Sequence, residues 1–489
     1  MKKVTAIIIA VILAFVIAMG DQIIKLSLSD NPLGIKNILS AIGMGDDGSV
    51  NIQNKPKIPL ITEKKAEEVN LTYDERIKKG DYYFGKGFFT FASNEYVKAA
   101  DLEPTRSTPY EKLMMTNFKL ADYQKAKNNA EKVLEIEPGN SEAKYYQILL
   151  AIKLNDFTGA EQLTDALLAS GVADVKLTYL KAILNIANSK HDDAKKLLNQ
   201  IAADPTADDA MKGNIQKFLD AYQEFDFAKS AEDLYLSELL ARAFNQTNEN
   251  ELAIYTLKNI LRTRPDLRDS WIMLGYSYLN LNNYLFALTS FERAYELDSE
   301  WPATQYFLGI TYAELTKYED AIIYLNYALN NGFEPAMVVK QKLADLYLQT
   351  GKYAESVKIY EEVLAANKQD INSFVRPIWI YLEFLNEPDK AYKLGELAVM
   401  TFPNNAMAYN LLGWSQTGTK NYVEAEKNLK KAIATDPTLP APYYNLGKLY
   451  ENMKETDKAL ENYQKAYELD QNGSIGNLSA KRYNALLIQ

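Results

Sequence analysis

The stretch GDYYFGKGFF, residues 80–89, has the spacing of a phosphate-binding loop. Gly80, Gly85 and Lys86 match the first seven positions of G-x-x-x-x-G-K-[ST], in which the loop cradles phosphates and the final Ser or Thr holds Mg²⁺. Here Gly87 follows the Lys, and the charged residues 66–79 contain no Val/Ile-rich run that could form a buried strand before the loop. We therefore predict no nucleotide site, and the glycines need another explanation.

Other chemistry-bearing residue types are scarce. The 489-residue chain has no Cys and one His, His191, which excludes disulfides, thiolate metal sites and cysteine catalysis and argues against multi-His metal sites and Ser-His-Asp triads. The formal net charge is −10, and no region has the dense Lys/Arg field that a nucleic-acid surface requires. We predict that the protein is not an enzyme and has no cofactor, metal, nucleotide or nucleic-acid partner.

Residues 1–20 predict a membrane anchor or a signal peptide. Lys2 and Lys3 precede residues 4–19, in which Thr5 is the only polar side chain. As a helix this segment covers about 24 Å, slightly less than the hydrocarbon core of about 30 Å. Small residues also precede a possible cleavage after Gly20, so both interpretations stay open. In both, the basic residues keep the N-terminus cytoplasmic and send the bulk of the chain across the membrane; the cleaved form would be secreted or periplasmic.

Residues 21–72 predict a stalk or linker. The segment mixes Asp, Gly and Asn with Pro56 and Pro59 and shows no sustained hydrophobic period. A short amphipathic helix fits residues 34–43, and the two prolines are expected to stiffen the chain before the folded part.

A 34-residue period explains the glycines. Residues 270–301 and 303–334 share L-G-x-x-Y, a Tyr near the following turn, and an Ala three residues later. Extending this register gives eleven repeats, and position 20 of each is Ala or Ser. These residues are Ala92, Ala126, Ala160, Ala194, Ala253, Ala287, Ala321, Ser356, Ala391, Ala425 and Ala459. Small residues in this column let two helices pack closely, and we expect a glycine at position 8, such as Gly80, to face position 20.

The pattern resembles the tetratricopeptide repeat, W-x₂-L-G-x₂-Y…A-x₃-F…P. The resemblance implies an all-α solenoid of helical hairpins wound into a right-handed superhelix. We predict four repeats in 73–208, one extra helix in 209–233 that could divide the array, seven repeats in 234–473 and a capping helix in 474–489. His191 falls in a mostly aromatic packing column, and Pro377 is expected to kink the first helix of its repeat.

Repeats of this family typically grip an extended peptide or helix on the concave face formed by the first helices. Positions 2, 5, 9, 12 and 13 of the repeats line that face, and stacking rings and amides there suit a peptide. The candidate peptide-binding residues are Tyr145, Tyr179, Arg242, Asn245, Tyr276, Tyr306, Asn410, Trp414, Tyr444 and Lys448.

Two functions remain open from the sequence. The first is a membrane-tethered scaffold that binds peptides or partner proteins during assembly of the cell envelope or a surface structure. The alternative is a structural protein that polymerises through the ends of the solenoid.

Overall fold

A computed structural model describes residues 71–172, 174–228, 233–471 and 473–488. The predicted membrane segment 1–20 and the stalk up to residue 70 lie outside these ranges. Within the described ranges every regular element is helical, which confirms the all-α fold, and no helix there is both long and apolar enough to cross a bilayer. The described residues form two compact units, one ending at Ser299 and one beginning at Glu300.

The first unit consists of helical hairpins and one unpaired helix. Its helices are α1 (Tyr73–Gly85), α2 (Phe89–Leu102), α3 (Thr108–Lys119), α4 (Tyr123–Ile136), α5 (Ser141–Lys153), α6 (Phe157–Ala169), α7 (Val175–Ala187), α8 (His191–Ala202), α9 (Asp209–Phe227), α10 (Asp233–Gln246), α11 (Asn250–Thr263), α12 (Arg268–Asn280) and α13 (Tyr284–Leu297). The unpaired helix is α9, which occupies the segment where the sequence predicts an extra helix.

The second unit continues the hairpin pattern. Its helices are α14 (Pro302–Glu314), α15 (Tyr318–Asn330), α16 (Ala336–Gln349), α17 (Tyr353–Ala366), α18 (Val375–Glu383), α19 (Pro388–Thr401), α20 (Ala406–Gly418), α21 (Tyr422–Thr435), α22 (Pro440–Asn452), α23 (Thr456–Leu469) and α24 (Ser474–Ile488). The boundary between the compact units therefore falls between repeats six and seven, and α9 lies inside the first unit.

Each hairpin turn contains one residue with left-handed backbone at repeat position 15, which ends the first helix and redirects the chain. These residues are Gly87, Ala121, Asn155, Ser189, Asn248, Asn282, Thr316, Gly351, Asn386, Lys420 and Lys454. Gly87, with φ of 77°, belongs to the stretch that resembled a phosphate loop, and Gly85 is the last residue of α1. The two glycines thus end a helix and form a turn.

The small residues at position 20 are fully buried in all eleven repeats, as close helix packing requires. The glycines at position 8 face the backbone of position 20, as at Gly309 and Ala321, but the nearest side chain belongs to position 24. A Cβ built on Gly80 would lie 2.4 Å from the Tyr96 ring, and one on Gly275 would lie 2.5 Å from the Phe291 ring. Each of these glycines makes room for a large residue of the second helix.

Repeat nine departs from the other repeats. Residues Ile371–Phe374 form a 3₁₀ turn, and α18 begins only at Val375, so Pro377 lies in the first helical turn. The amide that proline lacks would have no intrahelical partner there, and the expected kink is replaced by a late helix start. The shortened helix leaves Trp379 half-buried beside the inner face of the second unit.

His191 packs at the start of α8 against α9. Its Nδ1 lies 3.1 Å from the hydroxyl oxygen of Tyr222, and the two rings meet edge to face. Burial lowers the pKa of His191, with a smaller contribution from Lys195, so the ring is neutral at pH 7. These contacts fit the packing role that the sequence suggests.

Candidate functional site

The inner face of repeats three and four is covered by repeat five of the same unit. Helix α11 packs on α5 and α7, and Lys153 Nζ lies 2.9 Å from the carboxylate of Glu251. The ring of Phe157 also contacts Tyr255, with centroids 4.8 Å apart. A helix of the same unit therefore lies against this part of the inner face.

Two predicted peptide-binding residues lie under this cover. Tyr145 is half-buried and Tyr179 is buried, and burial raises the pKa of Tyr145 to about 12. Smaller parts of the rise in pKa come from Asp174 and Glu249 for Tyr145, and from Glu249 for Tyr179. Tyr179 therefore has no open stacking surface in this arrangement, whereas Tyr145 remains partly exposed.

Glu249 has an unusual electrostatic environment at this contact. Its pKa is raised from 4.5 to about 7, mainly by burial; Lys153 partly offsets this rise and Glu251 adds to it. The carboxyl thus lies beside one ion pair, Lys153–Glu251, without a salt bridge of its own among the described residues.

Three further predicted residues are engaged within the first unit. Arg242 Nη2 lies 2.5 Å from a Glu224 carboxylate oxygen, which ties α10 to α9. Asn245 is 1% exposed, donates to the Met273 carbonyl at 3.1 Å and accepts from Ser277 at 2.7 Å. Tyr276 is buried in α12. These side chains connect neighbouring helices, and their role in peptide binding stays a prediction for which this arrangement provides no open surface.

Tyr306, in the second unit, is also enclosed. It is 1% exposed and stacks on Phe333, with centroids 4.3 Å apart and planes inclined by 19°. Its ring contributes to the hairpin core of repeat seven.

The remaining four predicted residues line one open cavity of about 730 Å³ in the second unit, which we call the inner-face pocket. Its walls come from the first helices of repeats nine, ten and eleven (α18, α20 and α22) and from the capping helix α24. Asn410, Trp414, Tyr444 and Lys448 are the predicted members. A cavity of this volume, mostly apolar with a few polar groups, is typical of a ligand site.

Three half-buried aromatic rings give the pocket its apolar surface. Trp379 of α18 packs edge to face against Phe384, with centroids 5.0 Å apart. Trp414 of α20 packs on the core between repeats nine and ten. The ring of Tyr444 in α22 contacts the ring of Tyr463, with centroids 5.7 Å apart. Each ring is thus held on one side by the core and faces the pocket on the other.

Two buried amides form the polar floor of the pocket. Asn445 Nδ2 donates to Asn410 Oδ1 at 2.9 Å, and Asn410 Nδ2 contacts Met407 Sδ at 3.4 Å. The pairing fixes the orientation of both amides across neighbouring first helices. Such fixed amides can hydrogen-bond the backbone of an extended chain.

Charged side chains surround the rings. Lys448 Nζ lies 2.6 Å from the Glu383 carboxylate, which connects the first helices of repeats nine and eleven. Arg376 lies over the Trp379 ring at 5.7 Å from the centroid, a cation–π contact.

Several functional lining residues were absent from the sequence-based set, among them Arg376, Trp379, Asn445, Lys481 and Arg482. Trp379 was missed because the late start of α18 changes which residues of this repeat face inward. Lys481 and Arg482 belong to α24, which has no repeat position. In the sequence, Lys481 and Arg482 lie beside apolar residues at helical spacing. This pattern predicts a capping helix but does not reveal that the helix forms a wall of the pocket.

Among the described residues, no group of three His, Asp or Glu side chains is arranged to hold a metal ion. The inner-face pocket offers aromatic stacking, amide hydrogen bonds and charged side chains.

The hairpins, their turns and the buried small residues at position 20 define a helical-repeat protein. Tetratricopeptide-repeat family models match residues 118–184, 272–335, 341–370 and 440–472. The chain is a tetratricopeptide-repeat protein. Repeats of this kind generally bind protein or peptide partners and are not catalytic, and no enzyme family is indicated.

One curated relative, mouse Superkiller complex protein 3, is 36% identical over 87 residues. That match covers 17% of this chain and 6% of the mouse protein, so the chain spans a small part of this relative.

Three solved structures resemble the chain at low identity. Yeast Tom70 is 17% identical, with 85% of this chain and 96% of that chain covered and a TM-score of 0.32. The C-terminal part of a repeat protein from Cytophaga hutchinsonii is 13% identical, with coverages of 50% and 98% and a TM-score of 0.40. A repeat protein from Parabacteroides merdae is 15% identical, with coverages of 56% and 100% and a TM-score of 0.37.

Proposed function

We propose that this protein is a membrane-tethered interaction scaffold that binds an extended segment of a partner protein in the inner-face pocket. The observation that carries the proposal is the open cavity of about 730 Å³, in which half-buried Trp379, Trp414 and Tyr444 surround the Asn410–Asn445 amide pair. Rings and oriented amides together match the alternating side-chain and backbone character of a peptide.

The tether and the location are proposals from the sequence. The apolar segment 4–19 after Lys2 and Lys3 supports an anchor or an exported protein whose repeats lie outside the cytoplasm. For such a protein, assembly of the cell envelope or of a surface structure is the role we propose.

Site-specific photocrosslinking tests the binding site. A benzoylphenylalanine at position 414 of the full-length chain, expressed in its native cells, should capture one or a few proteins after irradiation. The matched control is position 423, where Val423 is 77% exposed on the second helix of the same repeat and does not line the pocket. Capture at 423 equal to that at 414, or none at either, would contradict the proposed site.

Protease accessibility tests the location. When any outer barrier is permeabilised but the cytoplasmic membrane is intact, an external protease should cleave within residues 73–488. Cleavage only after the cytoplasmic membrane is broken would refute the extracytoplasmic placement. The alternative, a polymer joined through solenoid ends, predicts a size-exclusion mass that rises with concentration. A constant mass with crosslinks at 414 would favour the scaffold.

A further inference from the structure

The charge of the inner-face pocket is opposite in sign to that of the chain. Four cationic side chains line it, Arg376, Lys448, Lys481 and Arg482, against the single lining carboxylate of Glu383. The chain as a whole has a formal net charge of −10. A local excess of positive charge in an acidic protein attracts an anionic group from solution.

The ion pairs of the pocket account for only two of these cations. Lys448 pairs with Glu383 at 2.6 Å, and Arg482 pairs with Glu451 at 3.3 Å. Among the described residues, no carboxylate forms an ion pair with Arg376 or with Lys481. Arg376 contacts the face of Trp379, which leaves its guanidinium hydrogen bonds available.

The two cations without ion pairs come from different walls. Arg376 lies in the first turn of α18, and Lys481 lies on the capping helix α24. An occupant of the pocket therefore meets positive charge on both walls, and aromatic rings and amides between them. The covered inner face of the first unit differs, because its Lys153 and Arg242 are each paired with a carboxylate.

We propose that the inner-face pocket selects an acidic peptide segment, whose carboxylates pair with Arg376 and Lys481 while an aromatic or large apolar side chain packs against Trp414. This inference rests on the proposed function and specifies its ligand. A peptide is favoured over a small anion because the Asn410–Asn445 amides and the three rings provide contacts that a carboxylate alone does not use. The capping helix thus contributes directly to selectivity.

The physical expectation is a charge-assisted interaction at a partly desolvated site. Arg376 is half-buried, while Lys481 is exposed at the rim, so the arginine should contribute more. Loss of a hydrogen bond to a charged group at such positions weakens binding by roughly 5- to 30-fold. Added salt should weaken the same contact, because exposed charges are screened over about 10 Å at 0.1 M ionic strength.

The test is a one-bead-one-peptide library of random octapeptides on a neutral resin, screened with the fluorescently labelled full-length chain in detergent. The peptides are sequenced from beads that bind the labelled wild-type chain but not the Trp414→Ala variant. We expect enrichment of Asp and Glu and of at least one aromatic or large apolar residue. Retention without acidic enrichment would overturn this inference and leave peptide binding standing, whereas no Trp414-dependent retention would overturn the proposed function as well.

Charge variants then test the residues with a soluble peptide from the enriched beads. Arg376→Gln should weaken binding by roughly 5- to 30-fold and Lys481→Gln by up to about 5-fold, and a neutral Asn/Gln version of the peptide should lose its sensitivity to both variants. Lys427→Gln is the matched control, since Lys427 is exposed on α21 outside the pocket. Equal effects of all three variants would refute the assignment, with circular dichroism to verify folding. Citrate binding at micromolar concentration by calorimetry would assign the cations to a small anion and overturn the peptide assignment.

Discussion

Glu249 makes the packing of α11 against α5 and α7 dependent on pH. The carboxyl lies at this contact with its pKa raised from 4.5 to about 7 by burial, with Glu251 adding to the shift. The folded unit therefore favours the protonated form. Below about pH 4.5 Glu249 is protonated in both the folded and the unfolded state and does not affect stability. As pH rises from 4.5 toward 7, ionisation of Glu249 increasingly destabilises the folded unit, and above pH 7 this destabilisation is complete.

The size of the penalty follows from the pKa. The rise from 4.5 to about 7 corresponds to about 3 kcal/mol if the carboxyl is fully shielded from water. Because the Glu249 side chain is half-buried, solvent screening reduces this value, and we expect about 1–2 kcal/mol. Glu249→Gln removes the ionisable group and keeps its shape, so it should stabilise the contact by this amount at pH 8 and leave it nearly unchanged at pH 4.5.

Amide hydrogen exchange measured by mass spectrometry reports on this contact directly. At pH 8, peptides from α5, α7 and α11 of Glu249→Gln should exchange roughly 5- to 30-fold more slowly than those of the wild-type chain, with the ratio near one at pH 4.5. Comparison at the same pH cancels the intrinsic pH dependence of exchange.

Glu251→Gln is the matched control, two residues away on the same helix. It breaks the ion pair with Lys153, so exchange of the same peptides should become faster at pH 8. Faster exchange in Glu249→Gln at pH 8, or a ratio that does not change with pH, would refute the argument.

Two further variants test the packing rules of the hairpins. Gly275→Ala should lower the free energy of unfolding by about 1–3 kcal/mol, because its Cβ would lie 2.5 Å from the Phe291 ring. Gly213→Ala is its control, since nothing lies within 4 Å of the added Cβ, and it should stabilise α9 by about 0.5–1 kcal/mol; denaturant titration measures both. Tyr306→Ala should cost about 3–5 kcal/mol by emptying its stacked position on Phe333 and should leave crosslinking at position 414 intact, whereas loss of crosslinking without loss of stability would contradict its burial.

Much of the fold could be predicted from the sequence because the repeat imposes one local rule many times. Position 20 must be small where two helices cross, and one residue at position 15 must adopt left-handed backbone. Because these requirements recur in every repeat, the helices of an atypical repeat can be assigned from the register of its neighbours. The side chain nearest the position 8 glycine could not be predicted, since spacing along the chain does not reveal which side chain of the second helix lies opposite. Three-dimensional contact assigns it to position 24.

The candidate site could be predicted only in part, for a physical reason. Positions 2, 5, 9, 12 and 13 describe an inner face, but whether that face is open depends on contacts far apart in sequence. Lys153 meets Glu251 across 98 residues, and Lys448 meets Glu383 across 65. The first contact covers Tyr145 and Tyr179, whereas the second lies at the inner-face pocket. Neither follows from the pattern of a single repeat.

The pairing of positions 8 and 24 also constrains how this chain can evolve. Where position 8 is Gly, position 24 is large, as in Gly80 with Tyr96; where position 8 is Met114, position 24 is the small Ala130. A substitution at one position alone passes through an overpacked or a cavity-bearing intermediate. In natural variants of each repeat, we therefore expect the side-chain volumes at positions 8 and 24 to change together. Their summed volume should stay nearly constant, while the larger side chain lies at position 8 in some lineages and at position 24 in others.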